Sequence, residues 1–206
     1  MKEHWNERYQ REAYLYGEAP NAFIYDIAQE IEFQGKSLAI AEGEGRNALY
    51  LMKQAQLMNR TMVMKLWDYS DIGLAKAAAR AEQEGLVIKT ECLDLNEADW
   101  QANTLDNVFC VFGHFPSELK EKTLQGIRYS LKNDGWFVGE VYSKEQLHYK
   151  TGGPPVEDLL YDLDDFIHVF GKDHIHHLFL GEANRMEGKL HTGLCHVIQF
   201  AIQVKK

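Results

Sequence analysis

Residues 42–48 read Glu-Gly-Glu-Gly-Arg-Asn-Ala, directly after the short apolar run of residues 38–41 and directly before a helical pattern. Gly43 and Gly45 can take positive φ and let backbone approach a ligand closely. Gly43, Gly45 and Ala48 match the spacing G-x-G-x-x-G/A, and Asp68 supplies the acid expected roughly 20 residues further on. Such a turn holds a nucleotide-like ligand, with the acid on its ribose hydroxyls. Glu42 and Glu44 flank the first glycine, however, and carboxylates there oppose the phosphates that a helix N-terminus otherwise favours. An acidic turn suits a ligand that carries positive charge. S-adenosylmethionine has a sulfonium and an ammonium and no phosphate, so these residues favour a methyl donor over a nicotinamide.

Two other groups of residues have the right types for chemistry. Asp173, His174, His176 and His177 crowd together, yet along a strand His174 and His176 share a face while His177 points away, and no tetrahedral set emerges; no metal is expected. Tyr149 to Pro155, with two glycines and two prolines, has the composition of a loop that could act as a lid. The aromatics Tyr14, Tyr16, Phe23 and Tyr25 read as core and staple.

The elements that must position these residues alternate in type. A helical stripe runs through Phe23, Ile24, Ile27, Ala28 and Ile31 and stops at Gly35. Strands are predicted at 37–41, 61–67, 87–92, 107–112 and 135–142. Between them lie helices through Ala48, Leu49, Leu51, Met52 and Ala55, from a Ser70 cap to Gly85, and through Leu119, Leu124, Ile127 and Leu131. That alternation implies parallel crossovers on both faces of one sheet. A helix around 156–170 then leads to two strands joined by a polar turn at 184–189, read as an antiparallel hairpin ending in Ile198, Phe200, Ile202 and Val204. The expected fold is α/β, a doubly wound and mostly parallel Rossmann-like sheet that ends in an antiparallel hairpin.

Bulk properties bound the rest. With 206 residues, 45% of them hydrophobic, the chain is expected to form one domain, 1–206. A formal charge of -9 without a basic run argues against nucleic acid, and no apolar run approaches the roughly 20 residues of a membrane span. Cys92, Cys110 and Cys195 are odd in number and set in apolar surroundings, which reads as reduced core thiols of a cytoplasmic protein. Both a monomer and a homodimer fit.

The stretches "GEGRNALYL", "LWDYSDIGLAKA", "CLDLN", "LKNDGWFVGE" and "EGKLHTGLCHVIQ", together with "YGEAPN" and "TGGPP", resemble class I S-adenosylmethionine-dependent methyltransferases, closest to the tellurite-resistance methyltransferase-like group. The resemblance runs over nearly the whole chain. It implies S-adenosyl-L-methionine as cofactor and a small-molecule methyl acceptor, with a thiol or a chalcogen oxyanion such as tellurite among the candidates. Glu42, Gly43 and Gly45 would lie under the methionyl part, with Arg46 and Asn47 opening the next helix. Asp68 would hold the ribose, Tyr69 would pack on the adenine, and Asp94 and Leu95 would read its edge. Phe112, Gly113 and His114 would bring methyl and acceptor together. Trp5, Tyr9, Tyr16 and Gly17, within an N-terminal segment of residues 1–20, would cover the site. Tyr149, Gly152, Gly153 and His191 would complete its substrate or lid side.

"MKLWD" is an unusual approach to the acid, and Asp71 competes with Asp68 for the ribose; Ser70 and Asp71 look like a helix start, which favours Asp68. If the acceptor must lose a proton, His114 is the best-placed base; capping of a strand end is its alternative role. Two other functions remain open: a nicotinamide-dependent oxidoreductase, and a methyltransferase-like domain that binds the cofactor without turnover.

Overall fold

The structure, a computed structural model, describes residues 2–11, 14, 16–188 and 191–206. Seven strands lie in one sheet: β1 (Gly35–Ile40), β2 (Met62–Asp68), β3 (Ile88–Cys92), β4 (Leu105–Val111), β5 (Leu131–Tyr142), β6 (His174–Glu187) and β7 (His191–Gln203). Their order is β3-β2-β1-β4-β5-β7-β6. The first five are parallel, and β7 runs antiparallel to both β5 and β6. Strand order therefore reverses between β1 and β4, where an open α/β sheet leaves a crevice at its carboxyl edge.

Helices cover both faces. On one, α2 (Ala22–Glu30), α3 (Arg46–Leu57) and α4 (Asp71–Gln83) bury Phe23, Ile27, Leu49 and Leu74 against Met64, Leu66, Phe109 and Val138. On the other, α5 (Ser117–Ser130) and α6 (Leu163–Phe170) bury Leu124, Ile127, Phe166 and Phe170 against Ile40, Val108, Phe137 and Phe200. Each such side chain contributes about 1.5 to 3 kcal/mol when taken out of water. The N-terminal helix α1 (Lys2–Arg11) packs on α4.

Several expectations are corrected. Gly35 does not end the first predicted helix; α2 stops at Glu30 and Gly35 begins β1. Its φ of +82° and the Asp106 carboxylate, 2.4 Å from where a Cβ would stand, explain the glycine. Leu131 belongs to β5, not to the preceding helix. The helix expected around 156–170 divides into a single turn, Glu157–Leu159, and α6, which a reciprocal Asp162 and Asp165 capping box starts. Residues 184–187, expected in the hairpin turn, are the end of β6, paired as far as Glu187 with His191. The polar residues there mimic a turn because their charges are matched by buried partners. Lys189 and Leu190 lie outside the described residues, as do Met1, Glu12, Ala13 and Leu15 of the N-terminal segment. Cys92 is exposed, while Cys110 and Cys195 are buried; all three are free thiols. Tyr25 is exposed as well, at 51%. No described helix is long and apolar enough to cross a membrane.

Candidate active site

The turn after β1 is built around a buried acid. Glu42 Oε1 accepts hydrogen bonds from the backbone N–H groups of Asn47 at 2.8 Å and Ala48 at 2.9 Å. It thereby caps α3, whose preceding residue Gly45 has φ +80° and no capping side chain of its own. Burial raises the Glu42 carboxyl, and its bonds to Ala48 and Asn47 and the Arg46 charge work the other way. These two amides are among those a diphosphate would use at a helix N-terminus, so the chain's own carboxylate already holds them. Glu44 faces away from that turn: its Oε1 takes Lys76 at 2.8 Å and the Tyr14 N–H at 3.1 Å.

Asp68 ends β2, one position beyond the β1 partner Trp67, and ties the two neighbouring turns together. Its carboxylate accepts from the Gly43 N–H at 2.8 Å and the Ser70 N–H at 2.7 Å. Burial raises this acid too, against those backbone bonds. Asp71 lies instead in the exposed first turn of α4, where it takes Asn6 Nδ2 at 2.7 Å. Tyr69 is half-buried beside Asp68. Asp94 accepts from Asn96 N–H at 2.9 Å and starts a short turn, while Leu95 is buried in the core with Trp67.

The N-terminal segment lies over this turn. Asn6 bonds both Ser70, at 2.5 Å, and Asp71. Tyr9, 6% exposed, is packed against Gly43 and Gly73, and burial followed by the Asp68 charge raises its phenol well above the usual range. Rings then pass from Trp5 to Tyr9 at 6.1 Å, from Tyr9 to Tyr16 at 6.4 Å, and from Tyr16 to His191 at 4.6 Å. Gly17 packs against Gly188 beside the hairpin turn. Tyr16 therefore bridges the N-terminal segment to the hairpin, as a staple rather than as a core residue.

Beyond the carboxyl ends of β4 and β5 sits a cluster of rings. Phe112, at φ +52°, stacks on Tyr142 at 4.5 Å and meets His191 edge-on at 4.4 Å. Gly113 is pressed against Cys110 Sγ, and its carbonyl accepts from Tyr161 Oη at 2.8 Å. His114 lies parallel to Tyr142 at 5.5 Å, its Nδ1 3.0 Å from the Leu159 carbonyl. Burial first, and then the charge of Lys120, push His114 down to about 4; the Leu159 bond opposes them. Burial and the charge of Arg46 push His191 down to about 3. Gly153, at φ +81°, rests on the Tyr142 ring, and the same loop is pinned by Thr151 Oγ1 to the Leu194 carbonyl at 2.6 Å and by Gln146 Nε2 to the Gly152 carbonyl at 3.1 Å. Tyr149 sits further out, its hydroxyl on Glu182 at 2.7 Å.

A buried polar network locks the hairpin to these elements. Glu187 binds Arg46 at 2.5 Å and Asn21 Nδ2 at 2.9 Å; Glu140 binds the same Asn21 Nδ2 at 2.9 Å together with Arg185 and Gln199. Arg46 also donates to the Ala19 carbonyl, so its guanidinium fastens the hairpin. Asn47 Oδ1 accepts from the Asn21 N–H at 2.8 Å. Sequence reasoning missed Tyr142, Glu140, Arg185, Glu187 and Asn21. The one available signal was Glu140, the lone charge in the apolar stretch 135–142 of β5. The histidine-rich start of β6 forms no comparable centre: Asp173 is held by Arg128, and a bulge between Ile175 and His177 breaks the alternation. Among the described residues no group of three or more His, Cys, Asp or Glu gathers as metal ligands.

Residues 38–135 match a family model described as a methyltransferase domain. No curated protein matches the chain by sequence. Among solved structures, one described by the conversion of a disulfide bond into a thioacetal group during echinomycin biosynthesis shares 17% identity at a TM-score of 0.76, over 100% of this chain and 92% of that one. TehB from Haemophilus influenzae shares 17% identity at 0.70, over 99% of this chain and 67% of its own. An S-adenosylmethionine-dependent methyltransferase from Clostridium acetobutylicum shares 15% at 0.63, over 96% and 94%. These likenesses are of fold, over nearly the whole of this chain's seven-stranded sheet and its helices.

Proposed function

We propose that this chain, whose residues 38–135 match a methyltransferase domain, moves the methyl group of S-adenosylmethionine to a small-molecule acceptor held beside Phe112 and His114. One observation supports this above the rest. The Glu42 carboxylate takes the α3 amides, which leaves a turn suited to a cationic ligand and unsuited to a diphosphate. A nicotinamide reading loses its anchoring site by the same geometry.

When bound, S-adenosylmethionine supplies an electrophilic methyl group on a positively charged sulfur. The chain's residues would bind, orient and exclude water. Gly43 and Gly45 give the turn its left-handed backbone, packed under Tyr9 and against Ala77, and Glu42 sets its negative field. Asp68, already on two amides, keeps oxygen lone pairs for ribose hydroxyls; Tyr69, Asp94 and Leu95 border the adenine side. Tyr9, Tyr16 and Gly17 close the front, and the loop at Gly152 and Gly153 closes the acceptor side. Alignment and desolvation of this kind are worth up to about 7 to 11 kcal/mol. Among acceptors, a thiol and a chalcogen oxyanion such as tellurite are the candidates; the neighbour described by a disulfide-to-thioacetal conversion also concerns sulfur.

The test is calorimetric titration with S-adenosylmethionine, S-adenosylhomocysteine and both nicotinamide dinucleotides. Binding of the first two, lost in Asp68→Ala, is expected. Binding of a nicotinamide dinucleotide in preference to both would overturn the reading.

A further inference from the structure

Three polar atoms in the ring cluster are buried without a hydrogen-bond partner among the described residues: Nε2 of His114, Oη of Tyr142 and Nδ1 of His191. All three rings meet at Tyr142, whose centroid lies 5.5 Å from His114, 5.5 Å from His191 and 4.5 Å from Phe112. Buried polar atoms without partners are rare, and three in one cluster at the carboxyl edge of the sheet mark a place built to bond something else.

What that something offers follows from the bonds already made. Nδ1 of His114 faces the Leu159 carbonyl, so it carries the ring proton and donates it, which leaves Nε2 a bare acceptor. The phenol of Tyr142 can donate. A selenite or tellurite anion could donate through its remaining O–H, but it also brings a full negative charge that needs a cation beside it. The two buried guanidiniums nearby, on Arg46 and Arg185, are already bonded to Glu187 and Glu140. A neutral protic acceptor, by contrast, donates to Nε2 and takes the Tyr142 proton on its own lone pair. The walls, Phe112, Tyr142 and Tyr16 with His191, are aromatic and suit a polarisable sulfur.

We propose that the methyl acceptor is a small neutral thiol, its S–H directed to Nε2 of His114 and its sulfur to Oη of Tyr142, and that His114 is the base. The inference rests on the methyl-transfer reading above. An electron pair of the thiol sulfur forms the new S–CH3 bond, and the pair of the broken bond stays on the donor sulfur, giving S-adenosylhomocysteine. Nε2 receives the S–H proton and passes it to solvent. Burial keeps His114 unprotonated through the neutral range, so it is ready to accept.

The experiment uses the full chain with ethanethiol, benzenethiol, selenite and tellurite, following S-adenosylhomocysteine release at neutral pH. Ethanethiol, protonated there, should be turned over, and the two oxyanions should not. His114→Ala should lower kcat with ethanethiol by about 10² or more, but no more than a few-fold with benzenethiol, whose anion the parent uses more slowly than ethanethiol and which needs no base. Tyr142→Phe should raise KM for ethanethiol with the S-adenosylhomocysteine Kd unchanged. In the S-adenosylhomocysteine complex of the full chain, ethanethiol should shift the His114 Nε2 nitrogen resonance, and selenite should not. Turnover of an oxyanion without thiol turnover, equal His114→Ala losses on both thiols, or binding of S-adenosylhomocysteine with neither thiol used would each overturn the proposal. Failure to bind S-adenosylhomocysteine would instead overturn the methyl-transfer reading on which it stands.

Discussion

The phenol oxygen of Tyr9 lies so close over Gly43 that a Cβ built on that glycine would meet it at 2.2 Å. The glycine is also in the left-handed region, at φ +56°. Gly43→Ala thus carries two separate costs: about 1 to 2 kcal/mol of backbone strain and displacement of the helix that carries Tyr9. It should lower Tm and weaken cofactor binding together. Adding Tyr9→Ala should restore part of the lost Tm, because only the second cost involves that ring. Additive effects in the double-mutant cycle would show that the two residues are not coupled.

Glu42→Gln keeps an oxygen for the two α3 amides and removes the charge. Burial raises the Glu42 carboxyl, so its contribution to stability is present below the ordinary carboxylate range and is lost as pH rises through the raised value. The variant should therefore be at least as stable as the parent at neutral pH, with that pH dependence removed, while cofactor affinity falls. Thermal melts from pH 4 to 8 beside calorimetry check both parts. A less stable variant at neutral pH would mean that the fold itself requires the charge.

His114 and His191 predict the opposite slope. Their folded values, about 4 and about 3, lie below the usual 6.5. Their contribution is thus complete above about pH 6.5 and is lost as pH falls toward the folded values. Each group adds a slope of about 1.4 kcal/mol per pH unit within that window. Urea unfolding of the parent and of His114→Phe at several pH values should show a shallower fall for the variant between pH 6 and 4. Parallel curves would place the His114 ring in water.

Asn21 caps α2 with its Oδ1, while its Nδ2 serves both Glu140 and Glu187. Asn21→Ala leaves two buried carboxylates one donor short and removes the cap, for an expected loss of about 2 to 4 kcal/mol. Chemical denaturation measures it. Asn21→Asp should be worse, because it adds a third carboxylate to the same place. An Asp variant as stable as the parent would show that water reaches the network.

The strands and the glycine turn were legible because their signals are local: apolar runs, Gly43, Gly45 and Ser70. Asp68 could be placed from its position at a strand end, and the structure seats it between Gly43 and Ser70. The hairpin turn was misplaced because Arg185 and Glu187 look solvated until Glu140 and Arg46, 45 and 141 residues away, are brought beside them. Tyr142 was passed over for a related reason. Its exposed-looking position at the end of an apolar strand says nothing about the rings of His114 and His191, which only the folded sheet edge gathers. Glu44 was read together with Glu42, yet Lys76 on α4 claims it, a pairing invisible to a single turn.

Glu42 is a tethered competitor. A free nucleotide must reach some concentration before it occupies a helix terminus, whereas a carboxylate fixed five residues from the amide it binds is always present at its own effective concentration. A dinucleotide seated there would first have to displace that carboxylate, which raises the concentration it needs by a fixed factor.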